Sequence, residues 1–418
     1  MSRLKIFISL YIVLVVLFIV SIILIQYIPV RLVQDNINKS AQQIQKEGIF
    51  YKPFGLYFLQ IDNMTDCLMM NIILSGEGKS PIYQAMMSEY CLNDTGNQGY
   101  LSIAKDTETL AQKGPEAMSD RWNYGRYWHG YQLILKPLLV FFDYSSIRII
   151  NYFILSSLSF LCLLFMVHRY DATVSLLFLL SLLLVGFPVV PMTIQFSTCF
   201  YIALLSMLGI MLCKKIRYNL TYFFFVIGGI TSFMDYLTTP LLTLGLPLVV
   251  LQLDKIKEKK TLTINYILVY SLCWFIGYAM LWASKWLTAS ILTNVSIVDL
   301  IGNNVSLRLS NTIFYGGEQM MISDMFEKTI GSYWFLFFVL IFLLLFSALY
   351  LYCSHIEQKE FKKYRGLLLI AFLVPVWFLV LRNHSLQHIF FTWRSWLVTL
   401  FALLLFVYYT KPYLVWKR

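Results

Sequence analysis

Apolar runs of about 20 residues, the length a helix needs to cross a bilayer, recur from one end of this 418-residue chain to the other. A segment in hydrocarbon must satisfy its own backbone hydrogen bonds, and a helix does so within one segment. Ten such runs are readable, at 6–30, 147–167, 173–190, 196–212, 220–233, 237–253, 264–283, 333–351, 367–381 and 389–409. Composition agrees: 59% of residues are hydrophobic and 13% charged, which belongs to the membrane class. The expected fold is an all-α polytopic membrane protein. The first run follows Arg3 and Lys5 and has no small-residue cleavage site behind it, so it reads as a retained anchor rather than a signal peptide.

The net charge of +11 does not point to nucleic acid. The basic residues sit in short clusters between apolar runs, as orientation signals do. With the N-terminus in the cytoplasm, one side collects Arg3, Lys5, Arg169, Lys214, Lys215, Arg217, Lys255, Lys257, Lys259, Lys260, Lys359, Lys362, Lys363, Arg365, Lys411, Lys417 and Arg418. The short opposite loops near Pro191 and Pro240 carry no lysine or arginine, and the one near Asn383 has only Arg382. Both termini are therefore expected on the cytoplasmic side of the membrane. The chain divides into a first span (1–30), a long extracytoplasmic loop (31–145) and a bundle (146–418) with a second outer loop at 284–331.

A loop as long as 31–145 is too large for an idle connection. Segments 40–46 and 103–111 are amphipathic and expected to be helical. Segment 131–142 is apolar but too short to span, so it reads as an interfacial or re-entrant helix. In this loop Asp62 and Asp66, in IDNMTDCLMMN, stand four residues apart in a chain poor in acids. On one helical face they suit an acidic active-site floor; the alternative is helix capping. Asp35, just past the first span, is a third acid. Cys67 and Cys91 share the loop and would be free to pair on an oxidising face, whereas the remaining cysteines read as small core hydrophobes.

Four further clusters fall on the same side. Arg126, Tyr127 and His129 in RYWHGY put cations beside aromatic rings, which suits a sugar ring or, alternatively, a membrane-interface belt. Asp235 lies between two apolar runs in DYLTTP; it faces a wet cavity or caps a tight turn. Lys285 precedes Trp286 at the outer end of a run, where a snorkelling lysine is the plainer explanation. Asn383, His384, His388 and Arg394 gather in NHSLQHIFFTWR. They suit a phosphate or diphosphate, which Arg grips with two donors and His with a tunable one. Zinc is disfavoured, because HExxH and a third adjacent ligand are missing.

Acids, cations and aromatics on one face, above helices rich in Phe, Leu and Tyr, suit a substrate with an apolar tail and an anionic head. A lipid-linked phosphosugar has that shape. A carboxylate would take the acceptor's proton, and Arg and His would stabilise the departing phosphate. Attack at the anomeric carbon would invert its configuration.

This layout resembles the GT-C superfamily of membrane glycosyltransferases. The stretches IDNMTDCLMMN, RYWHGY, DYLTTPLLTLGLP and NHSLQHIFFTWR are similar to those of Gram-positive membrane proteins associated with cell-surface polysaccharides. The resemblance implies a polyprenyl-phosphate-linked sugar donor, a cell-surface glycan acceptor, and an essential acid in the first outer loop. It places Asp62 or Asp66 as catalytic groups. Asn63, Arg126, Tyr127, His129, Asp235, Lys285, Asn383, His384, His388 and Arg394 would be substrate-binding. That superfamily's acid usually follows the first span closely, where Asp35 stands; Asp62 and Asp66 are preferred because Asp35 is alone. Some members use a divalent cation, which two carboxylates could hold with waters. The rival readings are an O-antigen- or capsule-type polymerase or ligase, a lipid-linked saccharide transporter or flippase, and a non-catalytic assembly protein.

Overall fold

The computed structural model describes residues 3–93, 99–260, 262–296 and 358–410, with two short strands and a few single positions between 301 and 342. Helices dominate it. Strands Tyr90–Leu92 (β1) and Asp120–Trp122 (β2) form one antiparallel pair, and Thr312–Tyr315 with Glu318–Met321 forms another. Among the described residues, six helices are long and apolar enough to cross a membrane by length and composition: Leu4–Tyr27, Tyr144–Arg169, Ile194–Leu212, Ile264–Thr293, Lys363–Val380 and Ile389–Thr410. The chain is thus a membrane-embedded helical protein. The expected run at 333–351 lies outside the described residues.

Three of the ten expected runs meet only shorter helices. Segment 173–190 gives α8 (Ala172–Leu184) and then the 3-10 turn Phe187–Met192. Segment 220–233 gives α11 (Leu220–Met234). Segment 237–253 loses its first turn: residues 235–241 form a tight loop through Pro240, and α12 (Leu242–Lys257) starts afterwards. Every residue of α12 from Leu242 to Asp254 is buried, so it is the centre of the bundle and needs little contact with lipid. The segment expected to begin a loop at 284 is helical at its start, because α13 (Ile264–Thr293) continues for ten residues past Ala283.

The long first loop is a folded unit. The helix α2 (Gln34–Glu47) buries Ile37, Ser40, Ala41 and Ile44, and α5 (Ile103–Lys113) buries Ile103, Ala104, Thr107, Leu110 and Ala111. Both sets follow the i, i+3, i+4, i+7 spacing of one helical face. Gly48 and Gly114 end these helices with φ of 88° and 78°, a conformation glycine adopts without a Cβ clash. Between them runs α3 (Asn63–Leu74), buried on nearly every side. Next to it, α4 (Pro81–Met87) starts at Ser80, whose side chain accepts from Tyr83 N, with Pro81 at the first helical position. The apolar α6 (Gln132–Phe141) lies beside α1 (Arg3–Leu24) and α2. Asp143 then caps α7 (Tyr144–Arg169) by accepting from Ser146 N, a contact that contributes about 1 kcal/mol.

Hydrophobic packing falls into three groups. The largest joins α7, α8, α9 (Ile194–Leu212), α11, α12, α13 and the C-terminal helices. A second fills the loop unit around α2, α3, α5 and α6. A third wedges α1 and α4 against α11 and α13. At that last contact, Gly228 of α11 meets the carbonyl of Trp274, and Gly277 of α13 meets the carbonyl of Phe225, the close approach small residues allow between apolar helices.

Candidate active site

The two acids of IDNMTDCLMMN sit at the N-terminal end of α3, and their environments differ. Asp62 is the N-cap residue: its Oδ1 accepts from Thr65 N at 2.9 Å. Its Oδ2 is buried and has no hydrogen-bond partner among the described residues. Burial pushes the carboxyl up to about 7; Thr65 and Arg394 pull it down, and the charge of Asp66 pushes it further up. Asp66, one turn on, is fully engaged. Its Oδ2 accepts from the Tyr144 hydroxyl and from Ile194 N (2.9 Å), and its Oδ1 from Gln195 N (3.0 Å). It thus caps α9 from a different part of the chain, placing a negative charge at that helix's N-terminus. Burial raises it to about 6, less than Asp62 because Tyr144 and the two amides favour the charged form.

Arg394 reaches this corner from a 3-10 turn more than three hundred residues away. It donates to Phe390 O at 2.7 Å and to Gln60 O at 3.3 Å, and its guanidinium lies 3.9 Å over the Phe196 ring. Phe196 follows the two amides that bind Asp66. Asp66 and Arg394 therefore meet at the first turn of α9, and Asp62 lies close enough to feel the charge of both.

Asn63 does structural work at the same place. Its amide donates to Glu47 Oε2 (2.9 Å) and to Gly48 O (2.8 Å), and it accepts from Arg148 Nη2. Arg148 in turn grips both oxygens of Glu47 at 2.8 Å and stacks 4.3 Å from the Tyr144 ring. Sequence reasoning missed Glu47, Tyr144 and Arg148. The available signal was a cap residue, Asp143, followed by Tyr144 and Arg148 at helical i, i+4 spacing, unusual at the start of an apolar run.

The RYWHGY residues meet the DYLTTP residues. His129 has φ of 59°; its Nδ1 lies 2.7 Å from the Tyr236 hydroxyl and its Nε2 2.8 Å from Tyr124 O. A carbonyl only accepts, so Nε2 carries the proton and Nδ1 accepts from Tyr236. Burial pushes His129 down to about 3. The ring is neutral, so His129 is not the cation expected here. Arg126 is half-buried with its guanidinium 4.2 Å over the Tyr124 ring, and its carbonyl accepts from Trp282 Nε1 (2.7 Å) and Trp286 Nε1 (3.0 Å). Tyr127 stacks on Trp282 at 5.7 Å. Tyr131 sits 5.3 Å from Tyr236, and the charge of Asp66 is felt at its hydroxyl. The aromatic cluster thus adjoins the acidic corner.

Asp235 behaves as a turn cap, accepting from Thr238 N at 2.9 Å and from the Thr238 hydroxyl. His384 Nε2 donates to Leu237 O in this turn at 2.8 Å, and His384 and His388 are 4.7 Å apart, His388 stacking on Phe391. Asn383 is buried beside them. Lys285 is fully buried and donates to Ala85 O (2.8 Å) and Met86 O (3.0 Å). It neutralises the C-terminal carbonyls of α4 instead of snorkelling to the surface. Asp35 is exposed in the first turn of α2. Cys67 and Cys91 are both free and buried. No group of three or more His, Cys, Asp or Glu side chains that could hold a metal ion occurs among the described residues. Comparison with protein-family models, with curated proteins and with solved structures returned no match to this chain.

Proposed function

We propose that the protein is a membrane glycosyltransferase that moves a sugar from a polyprenyl-phosphate donor to a cell-surface glycan, with its site on the extracytoplasmic face. The single observation that carries this reading is the second oxygen of Asp62: buried, without a partner among the described residues, and within the field of Arg394. A buried carboxylate is normally paired or hydrogen-bonded through both oxygens. One held with a free lone pair and a proton affinity close to neutral is suited to general-base work. The basic residues on the opposite loops support the orientation.

In this reading Asp62 Oδ2 accepts the proton of an acceptor hydroxyl as that oxygen bonds to the anomeric carbon. The bond from that carbon to the phosphate oxygen breaks on the far face, so the configuration inverts, and the lipid phosphate leaves with the electron pair. Arg394 offsets the charge that develops. Asp66 holds α3 against α9 and positions Asp62 without touching substrate. Turnover requires the cover over Asp62 to open when substrate binds.

Purified protein incubated with radiolabelled polyprenyl-phosphate sugars and cell-wall acceptors should release free polyprenyl phosphate, and Asp62→Asn should abolish the release. Undiminished turnover in both Asp62→Asn and Asp66→Asn would exclude the acid-dependent mechanism and favour a polymerase or ligase that relies on Arg and His alone.

A further inference from the structure

The segment between α2 and α3 runs into the Asp62 corner, and its exposed face is apolar. Tyr51, Phe54 and Leu56 are 36%, 58% and 47% exposed. Single apolar residues on a surface are ordinary, but these three share one short turn. The neighbouring helices set the contrast. On α2 the exposed positions are Asp35, Lys39, Gln42, Gln43, Gln45 and Lys46, and on α5 they are Lys105, Gln112 and Lys113. Those helices meet water with polar side chains only, and the segment between α2 and α3 does not.

The apolar face is held out by structure. Lys52 O accepts from Gly55 N at 3.0 Å, which closes a turn with Pro53 and Phe54 at its centre. The fixed φ of proline suits the first of those two positions. Gly55 leaves the turn at φ of 69°. At the base, Tyr51 O accepts from Ile61 N at 2.8 Å and Ile49 O from Met64 N at 3.2 Å. Phe50, Tyr57 and Phe58 pack from behind on the main bundle core, with Phe50 edge-on to Phe390 at 5.3 Å.

The elements beneath show what covers this face. Phe58 and Leu59 lie against Gly186, just past α8, whose Leu183 is 51% exposed. Phe390 follows the membrane-length helix Lys363–Val380, whose Leu379 is 75% exposed. Apolar side chains turned outward on such helices face lipid, and the turn continues both surfaces. The Lys52 ammonium stands 4.9 Å from the Tyr57 ring, a pairing of lysine and tyrosine suited to the headgroup level. We propose that residues 51–56 form a lip inserted in the bilayer leaflet on the Asp62 side. Phe54 and Leu56 lie among the acyl chains, and Tyr51 and Lys52 lie at the phosphates. The same segment ends at Gln60, whose carbonyl holds Arg394, and at Asp62 itself. On the glycosyltransferase reading, a donor with an apolar tail therefore meets the site from the membrane side.

The full chain in vesicles of phosphatidylethanolamine and phosphatidylglycerol tests this without donor or turnover. With p-benzoylphenylalanine at the position of Phe54 or Leu56, ultraviolet light should attach phospholipid to the protein as efficiently as from the position of Leu379. From the positions of Lys39 and Lys105 the adduct should be lost. Hydroxyl-radical footprinting of the unsubstituted chain, in nanodiscs of the same lipids, needs no variant. With each rate divided by that of the free amino acid, Phe54 should be protected about tenfold more than Trp122, the factor set by the preference of one ring for hydrocarbon; Trp122 is 46% exposed on β2. Adducts from 54 and 56 no stronger than from Lys39 and Lys105 would overturn the assignment. So would cross-links into a second copy of the chain in their place, or equal protection of Phe54 and Trp122. A lip without transfer would sink only the enzymatic reading, and transfer without a lip only this one.

Discussion

The helix α7 meets a buried aspartate at each end, and the two ends handle the charge differently. At its C-terminal end Arg169 grips Asp254 with Nε and Nη2, at 2.8 and 2.9 Å, and the Tyr170 hydroxyl adds a third donor at 2.8 Å. Both carboxylate oxygens are used, and the pair acts as a latch between α7 and α12. At the N-terminal end Tyr144 donates a hydrogen bond to Asp66, but Asp62 beside it keeps one oxygen with no partner among the described residues despite an arginine in the same corner. That arginine, Arg394, spends donors on the carbonyls of Phe390 and Gln60. On the proposed reading it is incomplete pairing, not burial, that sets Asp62 apart from Asp254, since an uncompensated buried charge costs stability.

The sharpest way to break this contrast is Asp62→Asn. Transfer should fall by roughly 10²–10⁴-fold, the range of one general base, while thermal stability at pH 8 stays equal or rises because an uncompensated buried charge is gone. A variant that loses stability and keeps activity would make Asp62 another latch. The pH dependence follows from the same group. Its folded value of about 7 lies above its ordinary one of 3.8, so the folded state holds the extra proton. The stability so conferred is complete below pH about 4 and is lost as the pH rises through about 7. It amounts to roughly 4 kcal/mol. Melting curves of wild type should therefore fall relative to Asp62→Asn across that window. Transfer should rise with pH through about 7.

At the other end of α7, Asp254→Asn should cost roughly 1–3 kcal/mol, discounted because Arg169 is partly exposed to solvent. It should leave transfer per folded molecule unchanged; a proportionate loss of kcat would mean the latch is coupled to the site. Tyr144→Phe should have the smallest effect, about 1 kcal/mol of stability, because two backbone amides still hold Asp66. A loss of transfer larger than tenfold in Tyr144→Phe would move the base from Asp62 to Asp66.

Local pattern revealed much of this molecule. The amphipathic α2 and α5 and the short apolar α6 are all written in spacing that acts within one or two turns. The break before α12 is half visible: a tight turn capped by Asp235 is one of two readings of the stretch, yet the apolar run reaches back to 237; Asp235 accepting from Thr238 and the fixed φ of Pro240 hold the turn instead. In the site, the carboxylate pair and the basic arm at Arg394 were legible as residue types. Their states were not. Asp66 is satisfied by amides 128 and 129 residues away, and His129 is made neutral by burial among tyrosines. Nothing within a helical turn of Asp66 encodes its partners, and the Tyr236 hydroxyl that meets His129 comes from 107 residues away.

The seam where Gly228 and Gly277 let α11 and α13 touch backbone to backbone has a further implication. Trp282 and Trp286, which hold the Arg126 carbonyl, stand one to three turns along α13 from that crossing. Any added methyl at Gly228 has to slide the two helices apart, since the atom it meets is a main-chain oxygen and cannot rotate away. The whole tryptophan-bearing arm would then shift as a lever, and the damage would surface at the outer rim rather than at the mutated position.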